Sequence, residues 1–192
     1  MSRHLHDGVD GAVAYTHSLL LLRPSVDDFP VRTVPDGYEI RLAVPADEPA
    51  IAETLTAAFE PTSTQPQRFD VDRVRRDLTE APDVDATFIA VWQGRAVATA
   101  SSRWLPERFP GAGYVHWVGT DPEHKRRGLA GALLGAVFAH FAEVGRTHAV
   151  LETDDHRLPA LHSYLRLGFT PVYEVAGEDH RPRWSAIFQR LL

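Results

Sequence analysis

Residues 116–134 read HWVGTDPEHKRRGLAGALL, and this stretch decides how the second half of the chain folds. It opens with strand-forming residues, and Pro122 then turns the chain. A basic segment that contains Gly128 follows, and apolar residues at helical spacing come directly after it. The stretch therefore predicts a strand, a tight basic loop and a long helix, in that order.

The start of this predicted helix has the chemistry of a diphosphate site. The first N–H groups of a helix have no partner within the helix, and the helix dipole adds partial positive charge at that end. Gly128, Ala130 and Gly131 are small enough to let a ligand approach the backbone, and Lys125–Arg127 add positive charge. We therefore expect phosphate groups to bind here. The alternative is a basic helix end that binds no ligand.

The spacing of this loop excludes two common phosphate-binding motifs. Neither the Walker A pattern Gly-x-x-x-x-Gly-Lys-Ser/Thr nor the dinucleotide fingerprint Gly-x-Gly-x-x-Gly occurs at this place. The pattern Lys125-x-x-Gly128-x-Ala130 instead resembles motif A of the GNAT acetyltransferases, Gln/Arg-x-x-Gly-x-Gly/Ala. Lys125 departs from that motif at a position where the family binds chiefly through main-chain N–H groups. The resemblance implies acetyl-CoA as a co-substrate.

A second segment, ALHSYLRLGF at residues 160–169, resembles motif B of the same family. Tyr164 matches a tyrosine that lies near the cofactor sulfur in the family and often acts as general acid for the leaving thiolate. A positioned phenol can protonate such a group. The alternative for Tyr164 is a tyrosine packed on the core. Arg157 stands where the family often has Asn, and it could reach a phosphate or face solvent.

The resemblance to both motifs implies a set of residues that contact the cofactor. Most of them lie on the end of the strand, in the loop and in the first turn of the long helix; one comes from the second motif and one lies just before it. They are Val118, Gly119, Thr120, Lys125, Arg126, Arg127, Gly128, Leu129, Ala130, Gly131, Arg157 and Tyr164.

Strand and helix patterns alternate outward from these motifs. Gln93-Gly94 predicts a hairpin turn, and the strands on either side of the long helix should be parallel neighbours. The pattern predicts strands at 15–22, 38–43, 87–92, 96–103, 114–120, 148–153 and 169–175, and helices after Pro45, around 71–78, at 127–144 and at 159–167. Residues 183–192 fit a helix better than a strand.

These elements indicate an α/β protein. The resemblance implies the GNAT fold, with a mixed, mostly antiparallel central sheet that is splayed at the cofactor site and flanked by helices. We expect residues 38–192 to form this domain. Residues 1–37 read as an N-terminal extension with a short strand and a proline-rich connector.

Composition narrows the class of protein. The 192 residues include no cysteine, which excludes disulfides, thiolate metal sites and a cysteine nucleophile. The formal net charge of −6 argues against a broad nucleic-acid surface. The absence of cysteine fits a reducing cytoplasm, and no apolar run is long enough to span a bilayer, so we expect a cytoplasmic protein without a membrane partner. Histidine and carboxylate spacing matches no common metal motif, so no metal is expected.

The remaining candidates concern the acceptor amine, which must be neutral to attack. His116, Glu152 and Glu123 are the candidate general bases, because they lie at strand ends near the predicted loop; of these, His116 and Glu152 are preferred. Each has the alternative of an ordinary hydrogen-bonded or solvated side chain. The resemblance also implies that the acceptor is held by the first helices and the loop after the hairpin. Candidate contacts there are Phe59, Trp104 and Phe109, with Glu107 or Asp70 meeting the amine.

Three functions are consistent with these residues. The first is an N-acetyltransferase that acts on a small-molecule or peptide amine, with a homodimer as its candidate assembly. The second is an acyl-CoA-binding or sensing module without turnover, which shares the loop but needs no acid or base. The third is an adaptor whose basic helix end contacts an acidic partner, and the negative net charge does not favour it.

Overall fold

The structure is a computed structural model that describes residues 15–30, 32–59 and 67–191. Residue contacts divide the chain into two compact units. The larger unit comprises residues 23–150, and the smaller one comprises residues 1–22 and 151–192. The prediction that residues 1–37 form an extension to a domain at 38–192 stays a prediction, and residues 1–14 lie outside the described part.

Nine strands and five α-helices follow one another within the described residues. Short 3-10 turns at Pro45–Asp47 and Pro122–His124 precede two of the helices, and a π-helical turn at Arg75–Thr79 extends another. In chain order the elements are β1 Leu19–Arg23, β2 Tyr38–Leu42, α1 Glu48–Phe59, α2 Val71–Val74, β3 Val84–Trp92, β4 Arg95–Arg103, β5 Ala112–Thr120, α3 Leu129–Glu143, β6 His148–Thr153, α4 Leu158–Arg166, β7 Thr170–Pro171, β8 Glu174–Val175, β9 Glu178–Asp179 and α5 Arg181–Leu191.

The sheet of the larger unit is mixed and mostly antiparallel, as predicted. Strands β2, β3, β4 and β5 pair antiparallel in that order, and β5 then pairs parallel with β6. The hairpin between β3 and β4 turns at Gln93 and Gly94, which both have positive φ, as a tight two-residue turn requires. The parallel pairing joins only Ala112–Tyr114 to His148–Val150. The remaining two thirds of β5 therefore extend beyond this pairing.

Helices α1 and α3 pack on the sheet of the larger unit through their apolar positions. Leu55 of α1 and Leu133 of α3 are fully buried, because helical spacing directs them at the strands. Two glycines of β5 permit this close packing. A Cβ on Gly119 would lie 2.8 Å from Leu55, and a Cβ on Gly113 would lie 2.4 Å from the ring of Phe141. The packing thus fixes β5 against α1 and α3.

The smaller unit contains the last half of β6, short strands and two helices. Strand β1 pairs antiparallel with β7 through Leu21–Pro171 and Leu22–Thr170. Trp184 of α5 is fully buried, and neighbouring Arg183 is buried against the carboxylate of Asp155 at 2.7 Å. The C-terminal segment is therefore a helix, as its apolar spacing predicted.

Two sequence predictions need correction. The single strand predicted at 169–175 is wrong, because only β7 and then β8 form there; Pro171 cannot donate to a strand ladder. The long helix begins at Leu129, not at Arg127. Arg126 and Gly128 have φ of 62° and 83°, and left-handed backbone cannot belong to a right-handed helix.

No helix within the described residues is long and apolar enough to cross a membrane.

The tight contact at Gly113 makes a prediction about stability. Gly113→Ala should destabilise the protein by about 1–3 kcal/mol, because its Cβ overlaps the Phe141 ring. Gly135→Ala is the matched control. It lies inside α3 with no atom within 4 Å of the added Cβ, so it should be neutral or stabilise by about 0.5–1 kcal/mol. Urea denaturation of both variants checks this. Equal midpoints would contradict the packing described here.

Candidate functional site

Strand β5 carries a β-bulge at the edge of the proposed ligand site. Thr99 pairs with Gly119 and Ser101 with His116, so two residues, Trp117 and Val118, oppose one on β4. Trp117 has φ of 43°, which is strained for an aromatic residue. Such bulges redirect backbone groups and are common beside functional sites.

The chain turns tightly after β5 and fixes the start of the basic loop. The backbone N–H of Asp121 donates to Val97 at 2.9 Å, and its carboxylate accepts from the N–H of Glu123 at 3.0 Å. The carboxylate also lies 3.4 Å from the guanidinium of Arg95. Asp121 therefore anchors the end of the strand to β4 and caps the following 3-10 turn, which leads into Lys125.

The first turn of α3 presents unpartnered backbone donors. Gly128 is the N-cap and provides no side-chain cap, and the first turn holds no acidic residue. Among the described residues, the N–H groups of Leu129, Ala130 and Gly131 donate to no carbonyl or side chain, whereas that of Ala132 donates to Gly128 at 3.1 Å. These three donors point out of the positive end of a helix 15 residues long. An anionic ligand fits this arrangement.

Three exposed cations precede those donors. Lys125, Arg126 and Arg127 form no ion pair with any residue that the structure describes, although Arg127 donates to the carbonyl of Glu123 at 3.5 Å. Most arginines elsewhere in the larger unit are paired; the guanidinium of Arg41, for example, lies 2.7 Å from a carboxylate. The loop thus adds unneutralised positive charge to the helix end, and the binding of a diphosphate there stays a prediction.

His116 is a poor base where the structure places it. Burial, and secondarily the positive charge of Arg103, lower its pKa to about 3. The imidazole also hydrogen-bonds to the backbone carbonyl of Asp77. At neutral pH the ring is therefore uncharged and binds a proton weakly. Glu123, another base candidate, is exposed on the 3-10 turn.

The residues predicted to contact the acceptor lie in different local clusters. Phe59 packs edge-on against Trp117 at 5.3 Å between ring centroids, and Phe109 stacks on Tyr114 at 5.9 Å. Trp104 lies beneath the guanidinium of Arg146 at 3.5 Å.

Two carboxylates were also predicted to meet the acceptor amine. Asp70 accepts a hydrogen bond from the N–H of Arg73 and so caps α2. Glu107 is exposed. The acceptor contacts stay predictions.

The smaller unit holds the remaining site residues. Tyr164 on α4 is buried, and burial raises its pKa to about 12. Its ring packs edge-on against Phe169 at 5.8 Å. Arg157 lies 3.0 Å from the carboxylate of Asp154, so its charge is already paired. Glu152 is partly buried on β6.

Sequence reasoning missed the aromatic cluster around the bulge. Phe59, Phe69 and Trp117 pack together, and the guanidinium of Arg73 lies 4.0 Å from the centre of the Phe69 ring. The indole N–H of Trp117 is buried and has no hydrogen-bond partner in the described residues. Strand propensity gives no signal for a left-handed tryptophan, because aromatic residues favour regular strands.

Within the described residues, no three His, Cys, Asp or Glu side chains lie close enough together to hold a metal ion.

Comparisons with known proteins agree with this geometry. A model of the acetyltransferase (GNAT) family matches residues 49–169. The mycothiol acetyltransferase of Amycolatopsis mediterranei (strain U-32) is 33% identical in an alignment of length 161 that covers 79% of this chain and 53% of that protein. The chain spans about half the length of the curated relatives that it matches.

Solved structures show the same fold. A GNAT acetyltransferase from Novosphingobium aromaticivorans DSM 12444 has a TM-score of 0.58 at 24% identity. The match covers 81% of this chain and 60% of that protein's chain. A GNAT acetyltransferase from Brucella melitensis, in complex with acetyl-CoA, has a TM-score of 0.56 at 22% identity, covering 74% of this chain and 90% of its own.

The partly buried imidazole of His116 predicts a specific pH dependence of stability. The pKa of His116 is about 3 when folded and near 6.5 when unfolded, so below pH 6.5 the unfolded state binds more protons. The contribution of His116 to the free energy of unfolding is full above pH 6.5, and it falls by at most about 1.4 kcal/mol for each pH unit towards pH 3. In urea denaturation between pH 8 and 4, His116→Gln should lose less stability than the wild type. An NMR signal assigned to the His116 imidazole, by its loss in His116→Gln, that titrates near pH 6.5 would contradict this.

Proposed function

Because the chain belongs to the GNAT family of acetyltransferases, we propose that it transfers an acetyl group from acetyl-CoA to a primary amine. The observation that carries this proposal is the row of unpartnered N–H groups at Leu129–Gly131, beside three unpaired cations. A diphosphate accepts hydrogen bonds from such a helix start and neutralises its charge. The residues present therefore fit the linked phosphates of coenzyme A.

The second half of β5 is suited to hold the rest of the cofactor. Because pairing with β6 stops at Tyr114, the larger unit leaves one edge of β5 open from the bulge onward. Open strand edges present N–H and C=O groups to an extended partner. We assign Val118, Gly119 and Thr120 to the amide-containing arm of coenzyme A, which has matching donors and acceptors.

The reaction joins the amine nitrogen to the acetyl carbon and breaks the carbon–sulfur bond. One proton leaves the amine nitrogen, and one reaches the sulfur, so the products are an amide and free coenzyme A. The protein must therefore supply a proton acceptor near the amine and a donor near the sulfur.

Tyr164 is the proposed donor. Its raised pKa, about 12, keeps the phenol protonated throughout the physiological range, so it can donate a hydrogen bond to a sulfur that gains negative charge. Its burial excludes competing water. The raised pKa also means that the phenol recovers its proton readily after transfer.

Glu152 is the proposed acceptor, directly or through one water molecule. His116 is the weaker candidate, since burial lowers its pKa to about 3 and its ring bonds to the Asp77 carbonyl. Glu123 is exposed on a turn that leads into the basic loop. Glu152 is a partly buried carboxylate on a strand, so it is held in place more firmly than the exposed carboxylate of Glu123. We therefore prefer Glu152 to Glu123 and to the weakly basic ring of His116.

The acceptor is proposed to be a small-molecule amine. The relatives named mycothiol acetyltransferase favour mycothiol-related amines as the first compounds to test. Phe59, Trp104 and Phe109 remain the proposed apolar contacts. Release of free thiol from acetyl-CoA, measured across a panel of amines, identifies the acceptor.

A homodimer and a cytoplasmic location are further proposals. Light scattering of the full chain and of a chain without residues 1–35 tests the first, and fractionation of cells that express the protein tests the second.

Binding of acetyl-CoA should depend on the left-handed turn before α3. At 100 times its dissociation constant, acetyl-CoA should stabilise the folded protein by about 2.7 kcal/mol and raise Tm by several degrees. Gly128→Ala should reduce this increase, because alanine at φ of 83° is strained and displaces the loop.

Gly145→Ala is the matched control at the other end of α3. Gly145 also has positive φ, 75°, and a Cβ on either glycine meets no atom within 4 Å. Both variants should lose similar stability without ligand, while only Gly128→Ala should lose the response to acetyl-CoA. An unchanged wild-type Tm at millimolar acetyl-CoA would reject the proposed function.

Turnover should depend on the hydroxyl of Tyr164. Tyr164→Phe should lower kcat by about 100-fold while acetyl-CoA affinity stays within a factor of two or so, because only proton donation is lost. Steady-state kinetics and calorimetric binding measure the two quantities. Unchanged kcat would exclude the acid role. Tight acetyl-CoA binding by the wild type without turnover on any amine would favour a binding or sensing module.

A further inference from the structure

The connector between β1 and β2 contacts α3 first beyond the C-terminal end of the helix and last at its N-terminal end. The backbone N–H of Val26 donates to the carbonyl of Thr147 at 3.2 Å, just beyond the end of α3. The ring of Phe29 stacks on that of Phe138 at 4.2 Å between centroids. Further along, the side chain of Arg32 lies against the first turn of the helix. Three successive contacts thus lead from one end of α3 to the other.

The spacing of these contacts agrees with the dimensions of a helix. Phe138 and Gly131 are seven residues apart, which is about 10.5 Å along the helix axis. Three residue steps, from Phe29 to Arg32, can span about 10–11 Å. A connector held at Phe29 therefore delivers Arg32 to the helix start.

Arg23 anchors the start of this connector through an ion pair and contacts with two aromatic rings. Arg23 pairs with the carboxylate of Asp28 at 2.8 Å, and its guanidinium lies 5.2 Å from the ring centre of Phe29 and 5.3 Å from that of Phe138. Arg23 is almost fully buried in these contacts. These contacts hold the connector on α3 at Phe29, three residues before Arg32 in the chain.

Arg32 contacts α3 at a residue that has no side chain. Its Cγ lies 3.5 Å from the position of a Cβ on Gly131, so its aliphatic stem rests on the backbone of the first turn. The residue is exposed, and its guanidinium forms no hydrogen bond or ion pair with any described residue. Arginine stems commonly lie on such surfaces while the charged end stays in water.

The charge of Arg32 is unfavourable in the absence of an anion. Cations destabilise the positive end of a helix, and Lys125, Arg126 and Arg127 already precede the same turn in the chain. Three cations thus precede the three unpartnered N–H groups in the chain, Arg32 adds a fourth beside Gly131, and the first turn of α3 holds no carboxylate. A ligand that carries several negative charges would offset this repulsion.

We propose that Arg32 binds a phosphate group of coenzyme A and that the connector is a working part of the cofactor site. This inference rests on the proposed function. It also goes beyond the family match, which begins at residue 49 and so excludes Arg32. Coenzyme A offers two targets, the linked diphosphate and the phosphate on its ribose, and both have the same chemistry for a guanidinium.

Calorimetric titration of Arg32→Gln with coenzyme A and with dephospho-coenzyme A tests the proposal. The second compound lacks the ribose phosphate and keeps the diphosphate. We expect coenzyme A to bind about 10-fold more weakly to Arg32→Gln than to the wild type, since a charge-assisted hydrogen bond is lost. The loss should shrink at high salt, and Arg32→Lys should recover part of the affinity.

Arg190→Gln is the matched control, because it removes the same charge from an exposed arginine on α5. It should bind both compounds as the wild type does. Weaker binding of coenzyme A alone by Arg32→Gln supports contact with the ribose phosphate, and weaker binding of both compounds supports contact with the diphosphate.

Two outcomes distinguish this inference from the proposed function. Unchanged affinity of Arg32→Gln for both compounds, with a wild type that binds them, would overturn the inference and leave the proposed function intact. A wild type that binds neither compound would overturn both. Melting curves without ligand confirm that the variant is folded, and no described interaction of the Arg32 guanidinium is lost in it.

Discussion

The backbone conformation of two residues before α3 controls the rest of the proposed site. Arg126 and Gly128 are left-handed, so the chain cannot enter the helix gradually and α3 starts abruptly at Leu129. An abrupt start leaves three N–H groups without carbonyl partners among the described residues. Their donors, the helix dipole and the nearby cations then act on the same small volume, which is why this turn suits linked phosphates.

The strand that leads into this turn is held equally firmly. Gly119 allows Leu55 of α1 to pack directly on the backbone of β5, and Asp121 ties the strand end to β4. The bulge at Trp117 lies between these contacts and the early end of the parallel pairing. A strand held by these contacts, with one edge left unpaired within the larger unit and with a strained bulge, is a suitable scaffold for an extended ligand, because the ligand does not have to order it.

Local environment, more than residue type, assigns the proposed proton-transfer roles. His116 has the usual side chain for a base at neutral pH, yet burial and Arg103 lower its pKa to about 3. Tyr164 is buried as well, and the same desolvation raises its pKa to about 12 and keeps its proton in place. Burial opposes the charged form of both residues, so it weakens the imidazole as a base and preserves the phenol as a donor.

The sequence by itself determined the α/β class, the hairpin at Gln93-Gly94, the parallel pairing across the long helix and the basic start of that helix. These features depend on local periodicity, turn chemistry and chain connectivity, which neighbouring residues specify. Only the tertiary structure decided that Trp117 is left-handed in a bulge, that His116 is partly buried near the charge of Arg103, and that Arg32 reaches Gly131 from about a hundred residues away. Burial and long-range contacts arise from packing of distant segments, and no local pattern encodes which segments will meet.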